Sequence, residues 1–153
     1  MTDEKRHVAI LVTGDRHAQK REQPTTAWTL AIAGAITELW EWDVDGMMLI
    51  HGAAPGIDTL AAEVFAWYLP DSAIEAFPAD WDRHGRAAGP RRNTEMLERV
   101  ISLRAKGWDV RVLAFHDDLQ ASRGTRDMVS QALAAELHVQ LITSRGTPGR
   151  MVL

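Results

Sequence analysis

The chain contains no cysteine, so disulfide bonds, thiolate metal sites and cysteine nucleophiles are excluded. It also lacks an apolar segment resembling a signal peptide and any run long enough to span a membrane. The six histidines show no metal-ligand spacing. We therefore expect a cytoplasmic protein with no membrane association, no metal site and no cofactor.

A strong excess of positive charge is missing too. The chain has 17 Lys and Arg against 21 Asp and Glu, a net charge of -4. This balance argues against broad nonspecific binding of nucleic acid, and no aromatic-basic stripe suited to single-stranded DNA is evident. Single-stranded DNA binding is therefore only a second alternative, after small-molecule binding and hydrolysis.

What the sequence does contain is a regular alternation of strand and helix patterns. Short apolar runs of strand length occupy residues 7–12, 47–50, 73–77, 109–115 and 139–142. Helical spacing begins near Pro24, Ile57, Gly89 and Ser122. The alternation predicts an α/β protein: one Rossmann-like three-layer domain over residues 1–153, with a five-stranded parallel sheet in the order 3-2-1-4-5. Residues 1–6 and 144–153 are predicted to be loose termini.

The stretch HGAAPGID at residues 51–58 is read as a glycine turn between the second strand and the second helix. Gly52 and Gly56 carry no side chain, so a ligand could approach the backbone there. The first N–H groups of the helix lack internal partners and favour an anion. Asp58 has two possible roles, either capping these N–H groups itself or accepting hydrogen bonds from a ribose.

Two further glycine-bearing loops follow predicted strands one and four. The first carries Gly14 and Arg16, and the second carries Gly124 and Thr125. In the order 3-2-1-4-5 these loops and the turn at residues 51–58 line one crevice, where ligands of such sheets bind. The alternative is that these glycines only permit tight turns. Neither a dinucleotide fingerprint nor a P-loop is present.

The loop after the third strand adds four candidates for the same crevice. Arg92 would stand at the positive end of a helix, which favours an anionic partner over a merely solvated side chain. Asn93 either donates to the ligand or braces the turn. Trp81 either stacks on a base or closes the core, with the core slightly favoured, and Asp80 precedes it.

Five ordered motifs together resemble one known group of proteins. They are VTGDR at residues 12–16, HGAAPGIDTLA at 51–61, PADW at 78–81, GPRRN at 89–93 and RGTRDM at 123–128. They are similar to the SLOG superfamily of Rossmann-like domains, most closely its YspA-like branch, over about residues 8–142. This resemblance implies binding of a nucleotide or a nucleotide-derived ligand such as an ADP-ribose-related signal.

The related "Lonely guy" phosphoribohydrolases carry a Pro-Gly-Gly-x-Gly-Thr-x-x-Glu motif with a catalytic glutamate. The matching stretch here is ASRGTRDM at residues 121–128, with Met128 at the glutamate position. Methionine cannot act as a general base. Asp127 is adjacent, but one residue along a helix rotates a side chain by roughly 100°. This departure counts against that activity.

The predicted function is binding of a nucleotide-derived small molecule, which the protein senses or sequesters. The alternative is a hydrolase that cleaves the N-glycosidic or phosphate bond of such a ligand, with Asp58, Asp80 or Asp127 as acid or base. Six tryptophans are many for 153 residues. Trp40, Trp42 and Trp67 lie near predicted helix ends, and a small sheet domain does not easily cover six indoles, so we also expect a homodimer packed through helices.

Overall fold

Strands and helices alternate in the computed structural model, which describes residues 5–18, 24–146 and 148–150. The strands are β1 (Arg6–Gly14), β2 (Val44–His51), β3 (Ala73–Ala76), β4 (Asp109–Phe115), β5 (His138–Ile142) and β6 (Pro148–Arg150). The helices are α1 (Pro24–Leu39), α2 (Ile57–Tyr68), α3 (Trp81–His84), α4 (Ala88–Ala105) and α5 (Arg123–Ala134). No described helix is long and apolar enough to cross a membrane.

The first five strands form a parallel sheet in the order β3-β2-β1-β4-β5. The predicted fold class and strand order are confirmed. β1 is central because it pairs on both sides: Val8 lies opposite Met47 of β2 and Asp109 of β4. Its apolar residues are covered on both faces, which explains why β1 reads as a nearly continuous apolar run rather than an alternating one.

The sixth strand was not expected from the sequence. Pro148–Arg150 pairs antiparallel with β5, inside the tail that the sequence assigned to loose structure. Gly146 has φ +73°, and its N–H donates to the carbonyl oxygen of Thr143 at 2.9 Å, which turns the chain back. Proline is tolerated at the first residue of an edge strand. Residues 1–4 and 151–153 of the predicted loose termini lie outside the described residues.

Two apolar layers sandwich the sheet. On one face α1 and α2 bury a cluster that includes Trp28, Phe65 and Phe115. On the other face α4 and α5 bury a second cluster that includes Met96 and Met128. The three layers hold the carboxyl ends of the strands rigidly at one edge, where the connecting loops meet.

Three tryptophans near the ends of α1 and α2 lie on the surface. Trp42 is 90% exposed, Trp67 is 83% exposed and Trp40 is 45% exposed. They follow or end α1 and α2, which return to the amino ends of the parallel strands. This edge is opposite to the one where the loops after β1, β2 and β4 meet. The homodimer stays a prediction, because its interface is not among the described contacts.

Candidate functional site

A cleft of about 650 Å³ lies beyond the carboxyl ends of β1, β2 and β4. The direction of strand order reverses between β1 and β4, which is where open α/β sheets bind ligands. Nine of the eleven predicted site residues line this cleft: Gly14, Arg16, Gly52, Asp58, Trp81, Arg92, Asn93, Gly124 and Thr125. Gly56 and Asp80 do not line it. A groove of about 670 Å³ between α1 and the end of β5 contains none of the eleven.

The carboxylate of Asp58 occupies the turn between β2 and α2. Asp58 is buried, and its Oδ2 accepts the N–H of Gly52 at 2.9 Å and the N–H of Ala54 at 3.2 Å. Asp58 therefore binds the loop that precedes α2, and no side chain makes a capping hydrogen bond at the first turn of this helix. The N–H groups of Gly52 and Ala54 are satisfied internally, which removes these two donors from an anion site in this turn.

Gly56 and Gly14 are required by close packing of backbone. Gly56 has φ +81°, and a Cβ there would lie 2.6 Å from the carbonyl carbon of Arg16. The N–H of Ile57 donates to the carbonyl oxygen of Asp15 at 3.0 Å across the same approach. A Cβ on Gly14 would collide with the carbonyl oxygen of Phe115. The tight-packing explanation therefore applies to these two glycines.

Arg92 lies across the β2–α2 turn. Its Nη1 donates to the carbonyl oxygen of Gly52, and its Nε donates to Oδ1 of Asn93 at 3.1 Å. A Cβ on Gly52 would collide with the guanidinium, so this glycine makes room for the arginine. Burial lowers the pKa of Arg92, Asp58 opposes that shift, and the charge of Arg16 adds to it. A guanidinium stays charged at neutral pH, so Arg92 brings a positive charge into the cleft.

Asn93 braces the loops. Its buried Nδ2 donates to the carbonyl oxygen of Gly124 at 3.2 Å and to Oδ2 of Asp127 at 2.9 Å. Its Oδ1 accepts from Arg92. The hydrogen bonds of the Asn93 amide thus hold α4 against the start of α5. Of the two roles considered for Asn93, the structure shows bracing rather than an N–H that is free for a ligand.

The N-terminus of α5 is the open helix end in the cleft. Ser122 caps it, since its Oγ accepts the N–H of Thr125 at 3.2 Å and donates to Oγ1 of Thr125 at 2.9 Å. Within the described part of the chain, no hydrogen bond uses the N–H groups of Arg123 or Gly124. Open space surrounds the α-carbon of Gly124, with no heavy atom within 4 Å of where a Cβ would stand. These N–H groups can reach a bound anion.

Trp81 begins α3 and Asp80 is the residue before it, in a stretch that the sequence had assigned to an irregular loop. Oδ1 of Asp80 accepts the N–H of Arg83 at 3.1 Å, so this carboxylate caps α3 and does not line the cleft. Trp81 is 51% exposed and lines the cleft. The slightly favoured core placement of Trp81 is therefore wrong, because its indole packs at the rim of the cleft beside Gly89.

The sequence missed several residues that line the cleft, among them His116, Arg86 and Arg123. Asp127, a possible acid or base in the hydrolase alternative, also lines the cleft, whereas Met128 is buried in the core. A signal for His116 was available, because it is the first polar residue after an apolar strand at the sheet edge. No group of three or more His, Asp or Glu residues suited to a metal ion is found among the described residues.

Comparison with known proteins places the chain in a family. It is 33% identical over 134 residues to the Gene 61 protein of Mycobacterium phage D29, covering 85% of this chain and 92% of that protein. The chain belongs to the same family as this Gene 61 protein. No family model matches the chain, and no solved structure matches it. The relative's name states no activity, so the chemistry of the cleft is the basis for a function of this Gene 61 family member.

Burial sets the protonation of two groups at the β2–α2 turn of this Gene 61 family member. Burial raises the pKa of Asp58 to about 6, although the two backbone N–H groups and Arg92 pull it down. Burial also lowers the pKa of His51, and the charge of Arg92 lowers it further. Nδ1 of His51 accepts the N–H of Ala53 at 3.0 Å, so the proton of the neutral ring is on Nε2.

The raised pKa of Asp58 predicts a pH-dependent contribution to stability. A carboxyl group that binds its proton more tightly in the folded state stabilises the fold below its unfolded pKa of 3.8 and loses that contribution as pH rises through about 6. Relative to Asp58→Asn, wild type should therefore lose about 2 kcal/mol of unfolding free energy between pH 4 and pH 7.

Urea denaturation of both proteins at several pH values measures this difference. His51 titrates with the opposite sign, because its folded pKa is lowered and stability is lost as pH falls. It is present in both proteins, so its contribution largely cancels in the difference. A wild-type-minus-variant difference that is flat across this pH range would show that Asp58 is not buried as described.

Proposed function

We propose that the cleft binds a nucleotide or a nucleotide-derived small molecule, which the protein senses or sequesters. The observation that carries the proposal is the meeting, in one cleft, of the open N-terminus of α5 and the half-exposed indole of Trp81. A phosphate suits the first and a flat base suits the second. Membership of the SLOG superfamily, which the five motifs suggest, is part of the same proposal.

The charges of the cleft support an anionic ligand. Arg16, Arg86, Arg92 and Arg123 all line it, in a chain whose net charge is -4. One of the acidic side chains facing them, Asp58, is already engaged by backbone N–H groups. Arginine pairs bidentately with phosphate oxygens. The backbone N–H groups of Arg123 and Gly124, which have no hydrogen-bond partner among the described residues, add donors whose positions are fixed by helix α5.

The apolar part of the cleft supports a base or a similar flat group. Trp81 stands there with Pro78, Pro90 and Met96. Stacking of a base on an aromatic side chain contributes about 1–3 kcal/mol in proteins that bind nucleic acids. A volume of about 650 Å³ lies within the usual range of small-molecule sites.

One observation favours hydrolysis as a second candidate. Oδ2 of Asp127 accepts from Nδ2 of Asn93 and from Nε2 of Gln131, both at 2.9 Å, which orients the carboxylate in the cleft. Its Oδ1 has no partner among the described residues, and it could take a proton from an attacking water. A leaving base also needs a proton donor, and no described contact assigns one, so binding remains the first proposal.

A thermal-shift screen with AMP, ADP-ribose, NAD and cyclic AMP tests the proposal. At least one of these should raise the melting temperature, because a ligand at a hundred times its dissociation constant stabilises a protein by about 2.7 kcal/mol. Chromatography of the same incubations should show no free base. No shift with any nucleotide would contradict binding, whereas release of base by wild type but not by Asp127→Asn would favour the hydrolase.

A further inference from the structure

His116 is a largely buried side chain of the cleft. It directly follows β4 and is 8% exposed. Its backbone N–H donates to the carbonyl oxygen of Ile142 at 3.1 Å, which fixes the residue between β4 and the end of β5. Its side chain lines the cleft at the point where the strand order reverses.

A backbone contact determines which ring nitrogen of His116 carries the proton. Nδ1 accepts the N–H of Asp118 at 2.9 Å, so Nδ1 presents a lone pair and the neutral ring carries its proton on Nε2. Within the described part of the chain no hydrogen bond uses Nε2. Nε2 is not among the fully buried polar atoms that lack a partner in the described residues, so it is open to the cleft, where a ligand or water can accept from it.

We infer that Nε2–H of His116 is a ligand-binding donor, which hydrogen-bonds an oxygen of the bound nucleotide-like molecule. The inference rests on the proposed function, and it deepens that function by naming an imidazole N–H donor beside the arginines. A single N–H of a ring fixed by its other nitrogen donates along one direction. It would therefore select for the position of an acceptor oxygen, whereas the arginines select for its negative charge.

His51 provides a matched control inside the same molecule. It also ends a strand, is also 8% exposed, and also uses Nδ1 to accept the N–H of the residue two positions later. It differs in that its side chain does not line the cleft. Changes that merely loosen a loop at a strand end should therefore affect the two positions alike.

Two substitutions separate the role of the acceptor Nδ1 of His116 from the role of the donor Nε2. In His116→Asn the shorter amide can still accept the N–H of Asp118, but no donor remains at the position of Nε2. In His116→Gln an amide N–H can reach that position, while the acceptor for Asp118 is lost. The ligand role predicts that the first variant binds poorly and keeps its stability. It also predicts that the second variant binds well and is less stable.

Calorimetric titration with AMP and with ADP-ribose, together with urea denaturation, provides both readouts. We expect His116→Asn to bind at least about tenfold more weakly than wild type, as for loss of a hydrogen bond to a charged group. His116→Gln and the control His51→Asn should stay within about threefold of wild type. Wild-type affinity in His116→Asn would overturn the inference and leave the proposed function standing. Equal weakening in both His116 variants would also overturn it, in favour of a purely structural histidine. Failure of wild type to bind either nucleotide would overturn the inference and count against the proposed function as well.

Discussion

Replacing Gly56 by alanine should cost about 2–6 kcal/mol of unfolding free energy. Gly56 has φ +81° and ψ −123°, a region in which side chains other than glycine are strained by about 1–3 kcal/mol. The added Cβ would also collide with the backbone of Asp15 and Arg16, and overpacking costs about 1–3 kcal/mol more. The total is a large share of the roughly 5–15 kcal/mol by which domains are stable.

Gly34→Ala is the matched control for this substitution. Gly34 lies inside α1, and a Cβ there would meet no heavy atom within 4 Å. Alanine should stabilise the helix by about 0.5–1 kcal/mol. Urea denaturation of the two variants against wild type measures both effects. A Gly56→Ala protein as stable as wild type would show that the loop after β1 does not approach the β2–α2 turn as closely as described.

The second large effect is expected from Arg92→Ala, which should weaken nucleotide binding about ten- to a hundredfold. The variant loses a charge in the cleft, and hydrogen bonds to charged groups contribute about 1.5–3 kcal/mol. It also loses the contact from Nη1 to the carbonyl oxygen of Gly52, which helps to hold the β2–α2 turn. The fold should survive, since Arg92 belongs to neither apolar cluster.

Arg91→Ala controls for the loss of a positive charge at the start of α4. Arg91 is the neighbouring residue in the same helix turn, but it is exposed and does not line the cleft. Calorimetric titration should give this variant nearly wild-type affinity. Equal weakening in both variants would show that long-range charge, rather than a local contact of Arg92, governs binding.

The sheet could be predicted because its signals are local. An apolar run such as residues 109–115 is short enough for a strand, and β4 occupies those same residues. Helical spacing after Pro24 likewise marks the start of α1. The connection between two parallel strands through a helix is almost always right-handed, and this rule leaves few possible strand orders. β6 was missed because three residues with a proline and a glycine carry no periodic pattern.

The location of the cleft was also predictable, because it follows from topology. The hydrogen-bond partners of its polar groups were not predictable, because they depend on contacts between distant segments of the chain. Asp58 had two possible roles in the sequence, and only the folded chain shows that it accepts the N–H groups of Gly52 and Ala54 in the loop before α2. Asn93 is bound to Gly124 and Asp127, more than 30 residues away. The sequence alone contains no signal for these pairings.

The most direct test of the account is to follow the tryptophan indole N–H signals in an amide correlation NMR spectrum during titration with AMP or ADP-ribose. Trp81 lines the cleft, whereas Trp67 lies near the end of α2 and Trp42 in the turn that follows α1, both at the opposite edge of the sheet. A nucleotide bound in the cleft should shift the signal of Trp81 in a saturable way, while the signals of Trp42 and Trp67 stay in place. Saturable shifts at Trp42 or Trp67 with none at Trp81, or no shift at any tryptophan, would contradict it.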